Sequence, residues 1–313
     1  MDSIPLNQTD IREPDIHAVM QAIRSLTRQD STVIQRFETA CCEASGRTLA
    51  IAAGTPSLAI QASLLAMNIT AGDEVLCPAL APARLVLGIV RTGATPVFVD
   101  VHPRHGAMHA ESAEAAITDQ TRAIALTAPC GNPSGFSSIA AVSRKYEIPL
   151  IEDAVESFGA TVSSDHAGCF GVLSVIGFDG DSPICAAGGA AILTNDDVLA
   201  RTCRQVLDEG RLPIPGIPTE EAGHIRTWQY ERRGIDGSLD PIRATLAMAQ
   251  LDRRHAVLQH RAEIAEAYVR RLGPHPDLVL PTPPSDAKPS WPAFPVRLDE
   301  RFLDFDQIGR AHV

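Results

Sequence analysis

The sequence predicts an α/β protein built on a mainly parallel sheet, and three observations carry that expectation. From about residue 47 onward, short apolar runs alternate with helical patterns, the rhythm of strands joined by crossover helices. The runs are rich in Val, Ile and Leu without strict alternation, as burial on both faces requires. With 313 residues, 45% of them hydrophobic, the chain can bury a substantial core and has the length of one large domain with a smaller one attached.

Taken in order, residues 15–26 (DIHAVMQAIRSL) and 31–44 (STVIQRFETACCEA) read as two amphipathic helices. Strands are expected at Thr48–Ala53, Glu74–Ala79, Pro96–Val101, Ala123–Ala128, Pro149–Ala154, Leu173–Phe178 and Ala190–Asn195. Helices lie between them at Ser57–Met67, Ala83–Gly93 and Ser137–Tyr146. Asp240–Leu272 reads as a long helix with room for one break, apolar on one side and charged on the other. The Pro-rich stretch from His275 to Glu300 opens a small second domain. The expected division is therefore residues 1–240, an N-terminal segment with the large domain, and 241–313, the long helix with part of a small C-terminal α/β domain.

Composition excludes several classes. Net charge is −11 and the isoelectric point about 5.3, so no electrostatic footprint for nucleic acid is present. No apolar run is long enough to span a bilayer, and the N-terminus lacks a basic region followed by an apolar one, so a cytoplasmic location is expected. The seven cysteines are scattered without a C-x-x-C pair, and the ten histidines show no ligand spacing. Free thiols and no metal site are the expectation. Almost all the base is arginine: Lys145 and Lys288 are the only lysines.

Two stretches invite a chemical reading. In AAGTPSLAIQASLLAMN, Thr55 suits an N-cap and Pro56 the first helical position, leaving N–H groups that favour an anion such as phosphate. The residues alone admit equally a well-capped helix and nothing more. In FDGDSPICAAGGAAILTN, Phe178 to Asn195, a strand, a polar loop and a Gly-Gly turn have the layout of a catalytic loop, yet hold no lysine or histidine.

The order of AGTPSLAIQASLLAMNITAGDEVLCP, GATPVFVDVHP, CGNPSG, IPLIEDAVESFGA and GGAAILTNDD resembles the DegT/DnrJ/EryC1/StrS family of sugar aminotransferases, from IPLNQTDI onward. The resemblance implies a fold type I pyridoxal-phosphate (PLP) transferase: a three-layer α/β/α domain with a mainly parallel sheet and a small C-terminal α/β domain. The chain ends at Val313, where the resemblance implies further strands and a helix, so that domain is expected to be incomplete. Such enzymes use PLP or its amine form, pyridoxamine phosphate (PMP). They need a Schiff-base lysine, a carboxylate for the pyridine nitrogen, phosphate donors, a ring-stacking aromatic and an asparagine reaching across the dimer.

Residue by residue, Asp153 matches the pyridine-nitrogen carboxylate, and Gly54 and Thr55 match part of the phosphate cradle, with Ala53 where a serine is usual. The other positions depart. Pro82 stands where the family has the aromatic, Glu156 where it has a glutamine, and Gly177 where it has a phosphate-binding serine. The family's F-x-x-x-K is one residue shorter here before the paired glycines, so the lysine position falls on Asp181 or Ser182. Neither can form an imine. Asp236 stands where a neutral asparagine should meet phosphate, and two like charges about 4 Å apart cost on the order of 4 kcal/mol near a protein surface.

The expectation is thus an aminotransferase fold impaired for transamination, with binding of PLP or PMP in doubt. Its role would be that of a binding protein or dimer partner in a sugar or secondary-metabolite pathway, as a homodimer or as a heterodimer with an intact paralogue, with a nucleotide sugar as ligand. The alternative is a working PLP- or PMP-dependent aminotransferase or dehydratase acting on a nucleotide-linked keto-sugar.

Overall fold

The computed structural model describes residues 9–25, 32–213 and 228–298. The start of the IPLNQTDI motif, the ends of the first two expected helices that face each other, and the closing FLDFDQIGRAHV stretch lie outside them.

Two helices, α1 (Glu13–Ser25) and α2 (Thr32–Ser45), precede the sheet. Then strands and helices alternate: β1 (Leu49–Ala53), α3 (Pro56–Ala66), β2 (Glu74–Pro78), α4 (Ala83–Val90), β3 (Thr95–Val99), α5 (Ala110–Ala115), β4 (Thr121–Thr127), α6 (Phe136–Tyr146) and β5 (Leu150–Asp153). A small excursion, β6 (Thr161–Val162) and β7 (Asp165–His166), leads into β8 (Leu173–Gly177), β9 (Ala190–Thr194) and α7 (Asp197–Leu207). The main sheet has the order β1-β9-β8-β5-β4-β2-β3. Its neighbours from β8 to β3 pair parallel, while β9 runs antiparallel to both β1 and β8. Mainly parallel is therefore the right description, with β9 as the exception.

Alternate strand residues feed opposite layers, as the period of two dictates. Ile51, Val75, Ala123, Ile151, Val175 and Ile192 point to the face covered by α3, α4 and α7. The other face meets α2 over β1, β8 and β9, and meets α6 over β2, β4 and β5, where Phe136 and Ile139 pack on Leu76, Ile124 and Leu150. This gives the three-layer α/β/α arrangement. The central strands β5, β8 and β9 are buried along their whole length, whereas β3, at the edge, leaves Phe98 57% exposed. Burial on both faces thus holds for the centre of the sheet and for the edge strand β1, and stops at the opposite edge, β3.

After the sheet come β10 (Arg211–Pro213) and β11 (Trp228–Tyr230), an antiparallel pair. The expected long helix is two: α8 (Pro241–Asp252) and α9 (Arg254–Leu272), meeting at Arg253. Asp240 caps α8 by accepting from the N–H groups of Ile242 and Arg243, with Pro241 in the first turn. At the break, Arg253 pairs with Asp10 and with Asp15 of α1, so the helix junction doubles as the anchor for the N-terminal segment. The short strands β12 (Leu278–Val279), β13 (Ala287–Lys288) and β14 (Arg297–Leu298) follow, β13 pairing with β6. No described helix is long and apolar enough to cross a membrane.

Candidate functional site

Because β2, β4, β5 and β8 run parallel, their C-terminal ends lie along one edge of the sheet, where an α/β fold presents its loops to a ligand. Asp153 is the last residue of β5. Arg84 sits in the first turn of α4, just after β2. The loop that follows β8 carries Asp179 and Asp181. These three connections bring together one guanidinium and several carboxylates that are far apart in sequence.

The guanidinium is the hub. Arg84 Nε bonds Asp153 Oδ2 at 2.9 Å, one terminal nitrogen meets Glu156 Oε1 at 3.1 Å, and the other meets Asp181 Oδ2 at 2.9 Å. Its side chain is only 9% exposed and that of Asp153 is fully buried, whereas Asp181 is 67% exposed at the outer rim. Burial is the main force on Asp153 and pushes its carboxyl up to about 6, against the opposing pull of Arg84 and of the Val155 N–H that donates to it. Arg84 itself keeps its charge: burial lowers its pKa, but the surrounding carboxylates more than restore it. Asp179 stands close by; burial raises its carboxyl while Arg84 lowers it, and its Oδ1 is buried without a hydrogen-bond partner among the described residues. Glu156 is held from behind, its Oε2 accepting from the Cys130 N–H at 2.8 Å and its carbonyl from the Ser290 hydroxyl at 2.6 Å.

The two residues that compete for the lysine position part company here. Asp181 faces the hub, whereas Ser182 is buried with its hydroxyl oxygen turned back to accept from the Ile184 N–H at 3.2 Å. The loop is folded on itself: the Phe178 carbonyl accepts from Ala186 and Gly188, and the Phe178 N–H donates to Gly189. Gly188 and Gly189 take φ values of 113° and 96°, a region that favours glycine, and their retention follows from this turn.

Of the matched phosphate positions, Gly54 is engaged by the chain's own backbone and Thr55 is exposed. Thr55 is the N-cap of α3, its hydroxyl oxygen accepting from Leu58 at 3.3 Å. The Gly54 N–H is taken by the Gly237 carbonyl at 2.7 Å, and Arg243 donates to the Gly54 carbonyl at 3.0 Å. A Cβ on Gly54 would lie 2.9 Å from the Ser238 carbonyl oxygen. Asp236, on that same segment, is exposed, its backbone paired antiparallel with that of Asp208. At Gly177 a Cβ would come within 2.8 Å of Pro56 Cγ and 3.0 Å of Val155, so a side chain there has no room. Pro82 serves as the N-cap residue of α4.

Neither lysine joins the hub. Lys145 lies in the last turn of α6, before β5 and so at the opposite end of that strand from Asp153, with its ammonium on Glu114 at the surface. Lys288 is exposed in β13, paired in register with Thr161. His166 is likewise exposed, in β7. Among the described residues no cluster could hold a metal ion. Beside the hub opens a pocket of about 640 Å³ whose walls include Glu156, Asp181, Arg261, Tyr268, Trp291 and Phe294. Tyr268 stacks on Phe294 at 5.1 Å, and Arg261 donates to the Trp291 and Pro292 carbonyls.

Arg84 and Asp179 are the residues that sequence reasoning missed. A signal existed: a carboxylate at the buried end of a central strand needs a cationic partner, and Arg84 follows the next strand but one across the sheet.

A seven-stranded sheet of this order, layered by helices and carrying a buried carboxylate at the end of β5, defines a fold type I PLP-transferase architecture. Within that class the chain belongs to the DegT/DnrJ/EryC1/StrS aminotransferase family, whose model matches residues 9–311. Solved structures agree on the fold. The aminotransferase TlmJ from Streptoalloteichus hindustanus superposes with a TM-score of 0.87 at 23% identity, over 97% of this chain and 81% of that one. PseC of Helicobacter pylori, an aminotransferase involved in the biosynthesis of pseudoaminic acid, gives 0.88 at 21% identity over 98% and 81%. A putative sugar aminotransferase from Streptococcus pneumoniae in its PMP form gives 0.87 at 20% over 99% and 84%.

Proposed function

We propose that this member of the family is impaired for transamination and acts by binding, as the partner of a second subunit in a sugar or secondary-metabolite pathway. One observation carries the reading: where the resemblance places the family's lysine stand Asp181 and Ser182, neither an amine, and both lysines of the chain are elsewhere. Without a primary amine at the site, PLP has no covalent attachment and the half-reaction that depends on it cannot begin. The remaining departures fall on the same positions. Gly177 has no hydroxyl to offer a phosphate, the Gly54 N–H is spent on Gly237, and Asp236 brings a charge of the wrong sign.

A dimer partner is the favoured role because sites of this family are built at a two-fold interface, where a subunit can contribute surface without catalysing. A heterodimer with an intact paralogue, or a homodimer, both fit this reading. A nucleotide sugar is the ligand such a complex would hold. The test is direct: the chain is purified with added PLP, treated with borohydride and weighed intact. The expected mass is that of the unmodified chain; a reduced PLP adduct on Lys145, Lys288 or the N-terminus at stoichiometric yield would end the proposal.

One observation favours a second reading. Asp181 is exposed at the rim of the 640 Å³ pocket, where a carboxylate can reach a bound molecule as a general base. A PMP-dependent aminotransferase or dehydratase acting on a nucleotide-linked keto-sugar would need such a group. Turnover of a panel of these sugars with added PMP would establish it.

A further inference from the structure

We infer that Arg84 is a built-in occupant of the cofactor-ring site: its guanidinium takes the ion pair with Asp153 that a protonated pyridine ring would otherwise make, and so keeps PLP and PMP out.

Three observations converge. Asp153 is fully buried at the end of β5, and the cation within 2.9 Å of it comes from the chain itself. Arg84 is held from the other directions too, by Glu156 at 3.1 Å and by Asp181 at 2.9 Å, so all three guanidinium nitrogens are engaged and the planar group is fixed rather than swinging through solvent. The two extra anchors fall on departures from the family pattern: Glu156 stands where the resemblance places a neutral glutamine, and Asp181 is one of the two residues, with Ser182, on which it places the lysine. A lysine ammonium at that place would repel the guanidinium, whereas an aspartate binds it. Glu156 and Asp181 thus join Asp153 in one ionic cluster around Arg84, and an aspartate at position 181 supplies a ligand for the plug.

Charge balance points the same way. Asp153, Glu156, Asp179 and Asp181 gather around a single guanidinium. A B6 ring arriving at Asp153 would have to displace the one cation of this group among the described residues, leaving Glu156, Asp179 and Asp181 facing one another. Asp179, its Oδ1 buried without a partner among the described residues, adds a further carboxyl to the group.

This inference rests on the match of Asp153 to the pyridine-nitrogen carboxylate, and it is separable from the absence of a lysine. The full chain, its Arg84→Ala variant and an Arg84→Ala/Asp153→Asn double variant are titrated with PMP, which needs no lysine, and binding is read by PMP fluorescence and by equilibrium dialysis. Wild type is expected to bind no PMP up to about 1 mM, Arg84→Ala to gain at least about tenfold in affinity, and the double variant to lose that gain. Arg84→Gln, which keeps the length and drops the charge, repeats the test should Arg84→Ala fail to fold. Saturable binding of PMP by wild type below about 100 μM, or equal affinity in wild type and the folded variants, overturns the plug. Should neither variant fold, the wild-type titration still decides on the same thresholds. A borohydride adduct on a wild type that binds no PMP would sink the proposed function alone, and a PMP-binding wild type without an adduct would sink the plug alone.

Discussion

At the scale of single residues, the energetics centre on a carboxylate that pays for its burial. Asp153 has its carboxyl raised to about 6, burial being the largest cause, against 3.8 for the free side chain. Between about pH 4 and 6 the folded chain therefore keeps a proton that the unfolded chain gives up, and stability falls as pH rises through that window, then levels off. The drop contributed by this group is on the order of 2 to 3 kcal/mol. Urea denaturation of wild type and Asp153→Asn at a series of pH values should show the difference between them shrinking toward acid; two parallel curves would contradict this. Arg84 shows the other side of the same balance. Removing one partner of a buried ion pair typically costs about 3 to 5 kcal/mol because the remaining charges are left without compensation. Arg84→Ala is expected to lower the unfolding midpoint at pH 7 and to recover part of the loss near pH 5, where Asp153 can protonate. A thermal melt at both pH values checks it.

At the scale of elements, β8 and α3 meet in close contact. Gly177 ends β8 against Pro56, the first residue of α3, and against Val155 just past β5. Restoring the family's hydroxyl by Gly177→Ser would force a side chain into contacts of 2.8 to 3.0 Å, and overpacking of this kind costs about 1 to 3 kcal/mol. The variant should be destabilised by that amount in chemical denaturation and should gain no phosphate affinity; unchanged stability would show that the α3 start is free to move. Thr55 does the opposite work, and Thr55→Ala should cost about 1 kcal/mol through the lost cap of α3, read in the same experiment. Next to Asp153, Glu152 is also buried, but its oxygens accept from the Gly168 and Phe170 N–H groups and the Ser174 hydroxyl. Two adjacent acids of β5 thus serve opposite layers: one pins the segment before β8, and the other faces the site.

At the scale of the whole molecule, the parallel order of the sheet is what turns scattered residues into a cluster. Residues 84, 153, 156, 179 and 181 meet because β2, β5 and β8 end on one edge, and no local pattern joins them. If the chain works as a partner subunit, purified protein should elute as a dimer or shift to a hetero-complex when mixed with an intact paralogue; light scattering that finds only monomer under both conditions would count against that role.

Much of this was legible from the chain alone. Apolar rhythm located the strands of the main sheet and the helices α3, α4 and α6, though not α5 or α7, because a residue's burial is written in its own side chain and those of its neighbours. The lysine inventory was legible because it is a count: Lys145 and Lys288 are all there is. Asp153, Gly54 and Thr55 stood out by their motifs. What tertiary structure alone decided was who neutralises whom. Between Asp181 and Ser182 the sequence left a choice, and the fold turned one outward to Arg84 and the other into the loop. It also placed Gly237 on Gly54 and revealed Arg84 as the hub. Hydrophobic patterning acts along the chain with a short period, whereas ion pairing acts through space between residues 69 and 97 positions apart, so only the folded arrangement could show it.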